Sequence, residues 1–272
     1  MLSLAGSVSR VRPPAVAGLF YPGDPAALRR LVESCISDAR PSAGARIPRA
    51  LIVPHAGYAY SGAVAGQAYR ALRDSGARPA RVVVAGPSHR VPMRGLAVSS
   101  LDAFETPLGK VPIDDAARQR LRELGLVGLS DAPHAVEHSI EVQLPFLQAV
   151  LGDRFVLLPV AIGLAPPEQV ARALDAAWSD PDTLLVVSSD LSHHHTYDEA
   201  RKLDAESGRS ILDRRDDLSD EQACGARGIN GLMQLARRRG LVVELLDLRN
   251  SGDTAGDRSR VVGYGSYALY DA

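Results

Sequence analysis

Short apolar runs of β type alternate with helical stretches along nearly the whole chain, and that alternation confines it to an α/β fold. Asp24-Pro25 places a cap before a proline at the first helical position, and Leu28, Leu31, Val32, Cys35 and Ile36 keep helical spacing behind it. Residues 50–53 and 81–85 are strand-like runs, ended by Pro54 and by Gly86-Pro87. Ser61 can cap a helix over 62–73, and Asp114 can start another. A helix is expected over 136–144, with Pro145 kinking its end. Strands are expected over 155–162 and 183–187, with a helix from Pro166-Pro167 to Trp178 between them. A polar segment, 188–197, precedes helices over 198–212 and 219–239 and strands over 241–248 and 261–270. No repeat or linker interrupts the pattern. It predicts a flexible lead over 1–12 and one α/β domain over 13–272, a mixed central sheet flanked by helices.

A length of 272 residues is ample for a packed core. The net charge of −1 argues against a nucleic-acid binder or a polybasic membrane-surface protein. The longest nearly apolar run, 155–165, contains Pro159 and is too short to span a bilayer. Residues 1–12 lack the apolar core of a signal peptide, and two cysteines cannot build a disulfide framework. These features predict a cytoplasmic protein. With Lys110 and Lys202 as its only lysines, and its richness in alanine, the text reads as bacterial and GC-rich.

Three histidines share one local setting. His55 follows the run 51–53, His89 follows 82–84, and His193 follows 184–187, each within a polar turn. Ligands of open α/β sheets bind beyond the carboxyl ends of strands, so three such turns can converge on one site. Neutral imidazole is the commonest transition-metal ligand, and two histidines plus one anionic ligand is a non-haem iron pattern. Gly57 and Gly86 would let the backbone approach an ion. A competing motif is His134-Ala-Val-Glu137-His138, the H-x-x-E-H zinc pattern, although Pro133 directly before it allows a helix to begin only there. For Glu137, His138 and Glu141 a bracing or substrate-facing role is the stronger expectation. Cys224, near the start of a helical stretch, is the candidate reactive thiol, whereas Cys35 lies on an apolar stripe. Ser88, Ser188 and Ser189 near His and Asp190 leave a Ser-His-Asp hydrolase open, without any G-x-S-x-G elbow.

Six blocks carry a resemblance. They are Ala17-Gly18-Leu19-Phe20-Tyr21-Pro22; Pro54-His55-Ala56-Gly57-Tyr58; Gly86-Pro87-Ser88-His89; Glu137-His138-Ser139-Ile140-Glu141 with Leu144-Pro145; Ser188-Ser189-Asp190-Leu191-Ser192-His193; and Asn250-Ser251-Gly252-Asp253 with Val262-Gly263-Tyr264. In this order they resemble the Memo-like protein family, whose prokaryotic members are often called protein B of the AmmeMemoRadiSam system. The resemblance implies a single-domain three-layer α/β sandwich similar to class III extradiol dioxygenases. It implies a metal on His55, His89 and Cys224, with Asp190 and His193 lining the pocket as catalytic groups. Tyr58, Ser88, Glu137, His138, Glu141 and Asp253 are expected around it. A thiolate in place of a carboxylate suits iron first, then copper, with zinc behind them, and puts ring cleavage in doubt. The implied function is a non-haem metal-dependent oxidoreductase acting on a small molecule, linked to a radical-SAM protein and an AMMECR-type protein. The rival is a non-catalytic adaptor that keeps the pocket; a zinc hydrolase stands third.

Overall fold

A computed structural model describes residues 10–41, 46–178 and 182–272. β1 (Val11–Arg12) precedes α1 (Pro25–Ser37), where the Asp24 carboxylate accepts from the Ala27 N–H at 2.8 Å. β2 (Ala50–Val53), α2 (Tyr58–Asp74) and β3 (Arg81–Pro87) follow. Next come β4 (Leu96–Val98), β5 (Ala103–Thr106), β6 (Gly109–Pro112) and α3 (Asp115–Glu123), capped by Asp114. β7 (Gly128–Leu129), α4 (Ala132–Ala135) and α5 (Leu144–Leu151) lead to β8 (Val156–Ile162) and α6 (Pro167–Ala177). β9 (Thr183–Ser188), β10 (His193–His195), α7 (Tyr197–Leu212), α8 (Ala226–Arg239), β11 (Val242–Asn250) and β12 (Val261–Tyr270) complete the chain.

The large sheet has the order β10-β12-β2-β9-β3-β8-β4-β7, with β11 against β12. β2, β9, β3 and β8 are mutually parallel, so their carboxyl ends open on one edge. β12 runs antiparallel to β2, and β4 to β8, which makes the sheet mixed. Alternation along the central strands divides two cores. Leu51, Val53, Val82, Val84, Leu184 and Val186 pack with Leu28, Val32 and Phe146 beneath α1, α2 and α5. Ala50, Ile52, Val83, Ala85, Leu185 and Val187 pack with Leu174, Ile229 and Leu232 of α6 and α8. The fold is therefore a three-layer sandwich, as expected. Among the described residues no helix is long and apolar enough to cross a membrane.

Four expectations need correction. Residues 1–9 of the expected lead lie outside the described residues, but Val11–Arg12 pair with β5, and Arg12 is buried. The fold thus begins before residue 13. The helix expected over 136–144 is broken: α4 stops at Ala135, and a 3-10 turn over Glu141–Gln143 precedes α5. Glu137 causes the break, because its Oε1 accepts from the His138 and Ser139 N–H groups at 2.8 and 3.0 Å and competes with helical bonding. The helix expected from 219 starts at Ala226, since the chain first passes close to Ser189. A Cβ on Gly225 would lie 2.6 Å from the Ser189 Cβ. His193–His195, expected as irregular, form β10 against β12, with a register shift absorbed at His194 (φ 67°). β4 to β7 had no sequence signature because runs of two to four residues are too short for a period to register.

Candidate metal centre

His55 emerges two residues beyond β2, and His89 two residues beyond β3. Because β2 and β3 both flank β9 in parallel, the two imidazoles meet above it, with ring centroids 5.2 Å apart. His138, released by the break after α4, completes the group at 5.3 Å from His55 and 4.9 Å from His89. One nitrogen from each ring lies within 4.8 Å of the other two. Cys224, just before α8, places its Sγ 3.3 Å from His55 Nε2. Ligands at about 2.1 and 2.3 Å on one tetrahedral ion stand roughly 3.6 Å apart, so this pair already has ligand spacing. The residues therefore fit a transition-metal ion.

A count of protons fixes the His55 tautomer. Ser188 Oγ has one hydrogen and donates it to the Ser139 carbonyl at 2.5 Å. It also accepts from Gln143 Nε2 at 2.9 Å, so its remaining bond, to His55 Nδ1 at 2.9 Å, must be one it accepts. His55 thus carries its proton on Nδ1 and presents a lone pair at Nε2, toward Cys224. Gln143 is held in turn by the Tyr69 hydroxyl on Oε1 and donates to the Pro54 carbonyl. Asp190 braces the same turn, accepting from the His55 N–H at 2.7 Å and the Ala56 N–H at 3.3 Å.

Glu137 organises the other two rings. It accepts from the His89 N–H at 2.5 Å and from His89 Nδ1 at 3.0 Å. His138 Nδ1 lies 3.0 Å from the same Oε1, off the line of a full hydrogen bond. Burial opposes ionisation of Glu137, yet the His138 and His89 imidazoles and the backbone donors outweigh it and hold the carboxyl far below the usual range. Burial, then His89 and His138, hold the His55 imidazolium well below its ordinary value, so the ring is neutral at pH 7. Burial, helped by Asp190, raises the Cys224 thiol far above its ordinary value; without a cation it stays protonated. Burial pushes Asp190 up to about 6. Glu137 and the ionisable thiol give the cluster anionic capacity, and among the described residues no Arg or Lys bonds to either. A divalent cation would supply the missing charge.

The remaining expected residues divide. His193 is half-buried at the edge of the cluster; burial lowers its pKa, and His89 adds to the effect. Ser88 lines a cavity beside His89, its hydroxyl donating to the Val91 carbonyl. Tyr58 turns into the core, donating to the Val142 carbonyl at 2.6 Å. Glu141 is fully buried and holds the N-terminal segment through Arg12, Tyr21 and the Ala15 and Val16 N–H groups. Asp253 accepts from the Tyr197 hydroxyl and caps the turn after Asn250. His134 of the zinc-like motif bonds the Ala97 carbonyl and packs on Phe104, outside the cluster. Gly86 makes room for Ser139, whose Oγ would lie 2.7 Å from an added Cβ, rather than for an ion. Gln143 was not singled out in the sequence. Its one visible signal is a polar residue within an otherwise apolar run.

Comparison with known proteins gives a consistent family. The Memo-like protein family matches residues 12–268. A MEMO1 family protein of Aquifex aeolicus is 36% identical over 273 residues, covering 94% of this chain and 97% of the relative. One from Sulfolobus acidocaldarius is 34% identical over 288 residues, covering 96% and 100%. Among solved structures, an uncharacterized Escherichia coli K12 protein, JW3007, matches with TM-score 0.54 and 17% identity, covering 82% of this chain and 99% of its own. That likeness concerns the fold alone.

Proposed function

Because this chain belongs to the Memo-like protein family, we propose that it is a metal-dependent oxidoreductase whose ion, iron in the first place, is held by His55, His89 and Cys224. The observation that carries the reading is the 3.3 Å approach of Cys224 Sγ to a His55 Nε2 that the Ser188 network obliges to carry a lone pair. Imidazole and thiolate are donors for iron, copper and zinc and poor ones for magnesium. A redox-active ion held there would supply oxygen or one-electron chemistry to a bound small molecule.

The chain's own groups do the rest. Glu137 orients His89 and offsets positive charge. His138 packs against both ligand rings, its centroid 5.3 Å from that of His55 and 4.9 Å from that of His89. His193, held neutral by burial, accepts a proton from a substrate hydroxyl or returns one. Asp190 keeps the His55 turn rigid. Phe20, packed 4.6 Å from His138, shields that ring from water. A thiol ligand needs a reducing compartment, which supports a cytoplasmic setting.

The test is metal analysis of protein purified without oxygen, alongside His55→Ala, His138→Ala and His193→Ala. We expect about one ion per chain in wild type, His138→Ala and His193→Ala, and a metal-poor His55→Ala. A metal-replete His55→Ala sinks the ligand set.

A further inference from the structure

One cavity opens directly onto the cluster. It has a volume of about 380 Å³ and ends on His89 and Cys224. Met93, Ile162 and Leu164 form an apolar wall. Asp220 and Arg227 are the only acidic and basic side chains, histidine aside, among those that line it. They pair at 2.7 Å, with side chains 63% and 34% exposed respectively. The arginine is therefore the better seated of the two, and the aspartate the one that can swing into solvent.

A solvent-exposed pair of this kind is weak, because water screens it and both side chains lose freedom to form it. An anion arriving from inside the cavity can displace Asp220 and take the guanidinium fork with two parallel hydrogen bonds. The volume lies at the small end of the roughly 300–1,000 Å³ typical of small-molecule sites, so the occupant is compact. One guanidinium neutralises one negative charge. A phosphate dianion would keep an excess charge beside Asp220 and near the Glu137 that holds His89, which disfavours it.

We propose that this cavity binds a compact monocarboxylate with an apolar body, its carboxylate on Arg227, its body on Met93, Ile162 and Leu164, and its far end at His89 and Cys224. Arg227 is then the residue that selects the substrate class. The assignment of this ligand as substrate rests on the metal-dependent reading above, but its binding does not need the ion.

The experiment separates the two. Full-length, chelator-treated protein is titrated with benzoate, benzyl alcohol and inorganic phosphate, following NMR shifts or heat. Benzoate should bind more tightly than benzyl alcohol. Arg227→Gln should weaken benzoate about 10- to 100-fold, the range for a charge-assisted pair, and leave benzyl alcohol unchanged. Arg227→Lys should fall between wild type and Arg227→Gln. Asp220→Asn, which frees the guanidinium, should tighten benzoate by about two- to fivefold. Benzoate binding that ignores Arg227→Gln, or that Asp220→Asn weakens, overturns the proposal. Phosphate binding that exceeds benzoate and is lost in Arg227→Gln overturns the carboxylate choice. Because no metal is present in any arm, a failure here leaves the ligand set of the cluster standing. A metal-replete His55→Ala, conversely, leaves the cavity's anion preference standing.

Discussion

Glu137 and Glu141 lie four residues apart in one segment, and both are buried among several hydrogen-bond donors. Glu141 meets a permanent cation, Arg12, together with two backbone N–H groups and the Tyr21 hydroxyl. Its charge is fully answered within the protein. Glu137 meets only imidazoles and backbone N–H groups among the described residues. The His55 ring beside this group is held neutral by burial. The first carboxylate therefore closes the fold, and the second leaves a demand for positive charge. A buried acid bonded only by imidazoles and backbone N–H groups marks a site; one with its own arginine marks architecture.

The largest expected effect tests the architectural side. Glu141→Gln leaves the Arg12 guanidinium buried without its counter-charge and should cost about 3–5 kcal/mol in urea unfolding. Replacing the pair together with Met and Leu should restore most of that loss. Metal content per folded molecule should not change in either variant. Glu137→Gln should do the reverse, lowering metal affinity by roughly 10–100-fold while moving the unfolding midpoint far less than Glu141→Gln. A larger loss of affinity in Glu141→Gln would break the contrast.

Ser188→Ala removes the acceptor that obliges His55 to protonate Nδ1. We expect a smaller drop in metal affinity, near the roughly tenfold end of bracing effects, and a mixed tautomer signal in the nitrogen NMR spectrum of the metal-free protein. A single Nε2 lone-pair tautomer surviving in that variant would show that the serine is not the lock.

Acid sharpens the comparison further. Burial pushes His134 down to about 4, and it lowers His55 as well. Histidines of the unfolded chain take up protons near 6.5, while these two stay neutral when folded. The unfolded state then binds more protons, so stability falls as pH drops from about 6.5 toward 4. Asp190 works against this: its folded pKa of about 6 lies above the unfolded value, so its contribution improves as pH falls through 6. In His134→Gln the stability curve of metal-free protein over this window should flatten by up to about 1 kcal/mol per pH unit. An unchanged slope would mean that His134 titrates normally. The least effect is expected at Asp253, whose Tyr197 bond is exposed; Asp253→Asn should keep wild-type metal content and an unfolding midpoint within error.

His55 and His89 were legible in the sequence because a parallel sheet gathers its carboxyl ends, and short turns leave little freedom after Val53 and Pro87; His193, the third strand-end histidine, stands outside the group of His55, His89 and His138. The long strands and most helices were legible from their periods. The place of His138 within the cluster was not, because the text of 136–144 keeps helical spacing and only the Glu137 carboxylate, folding back on its own N–H groups, breaks it. Arg12 was misplaced for a related reason: a charged residue near an end reads as solvated unless its buried partner, here 129 positions away, is known. The Ser188, Gln143 and Tyr69 chain likewise joins residues distant in sequence, and no local pattern announces it.

β12 pairs with β10, β11 and β2, and through Tyr267 opposite Ile52 it flanks the strand that leads into His55. Its residues follow those of β2 by roughly two hundred positions. Pairings of such separation form slowly, since a long loop must close first. While the ribosome still holds this strand, β2 lacks one neighbour and the turn carrying His55 has no finished sheet behind it. The turn that carries His55 thus gains its finished sheet only after most of the domain has emerged, and any ion it holds would be loaded during maturation rather than synthesis.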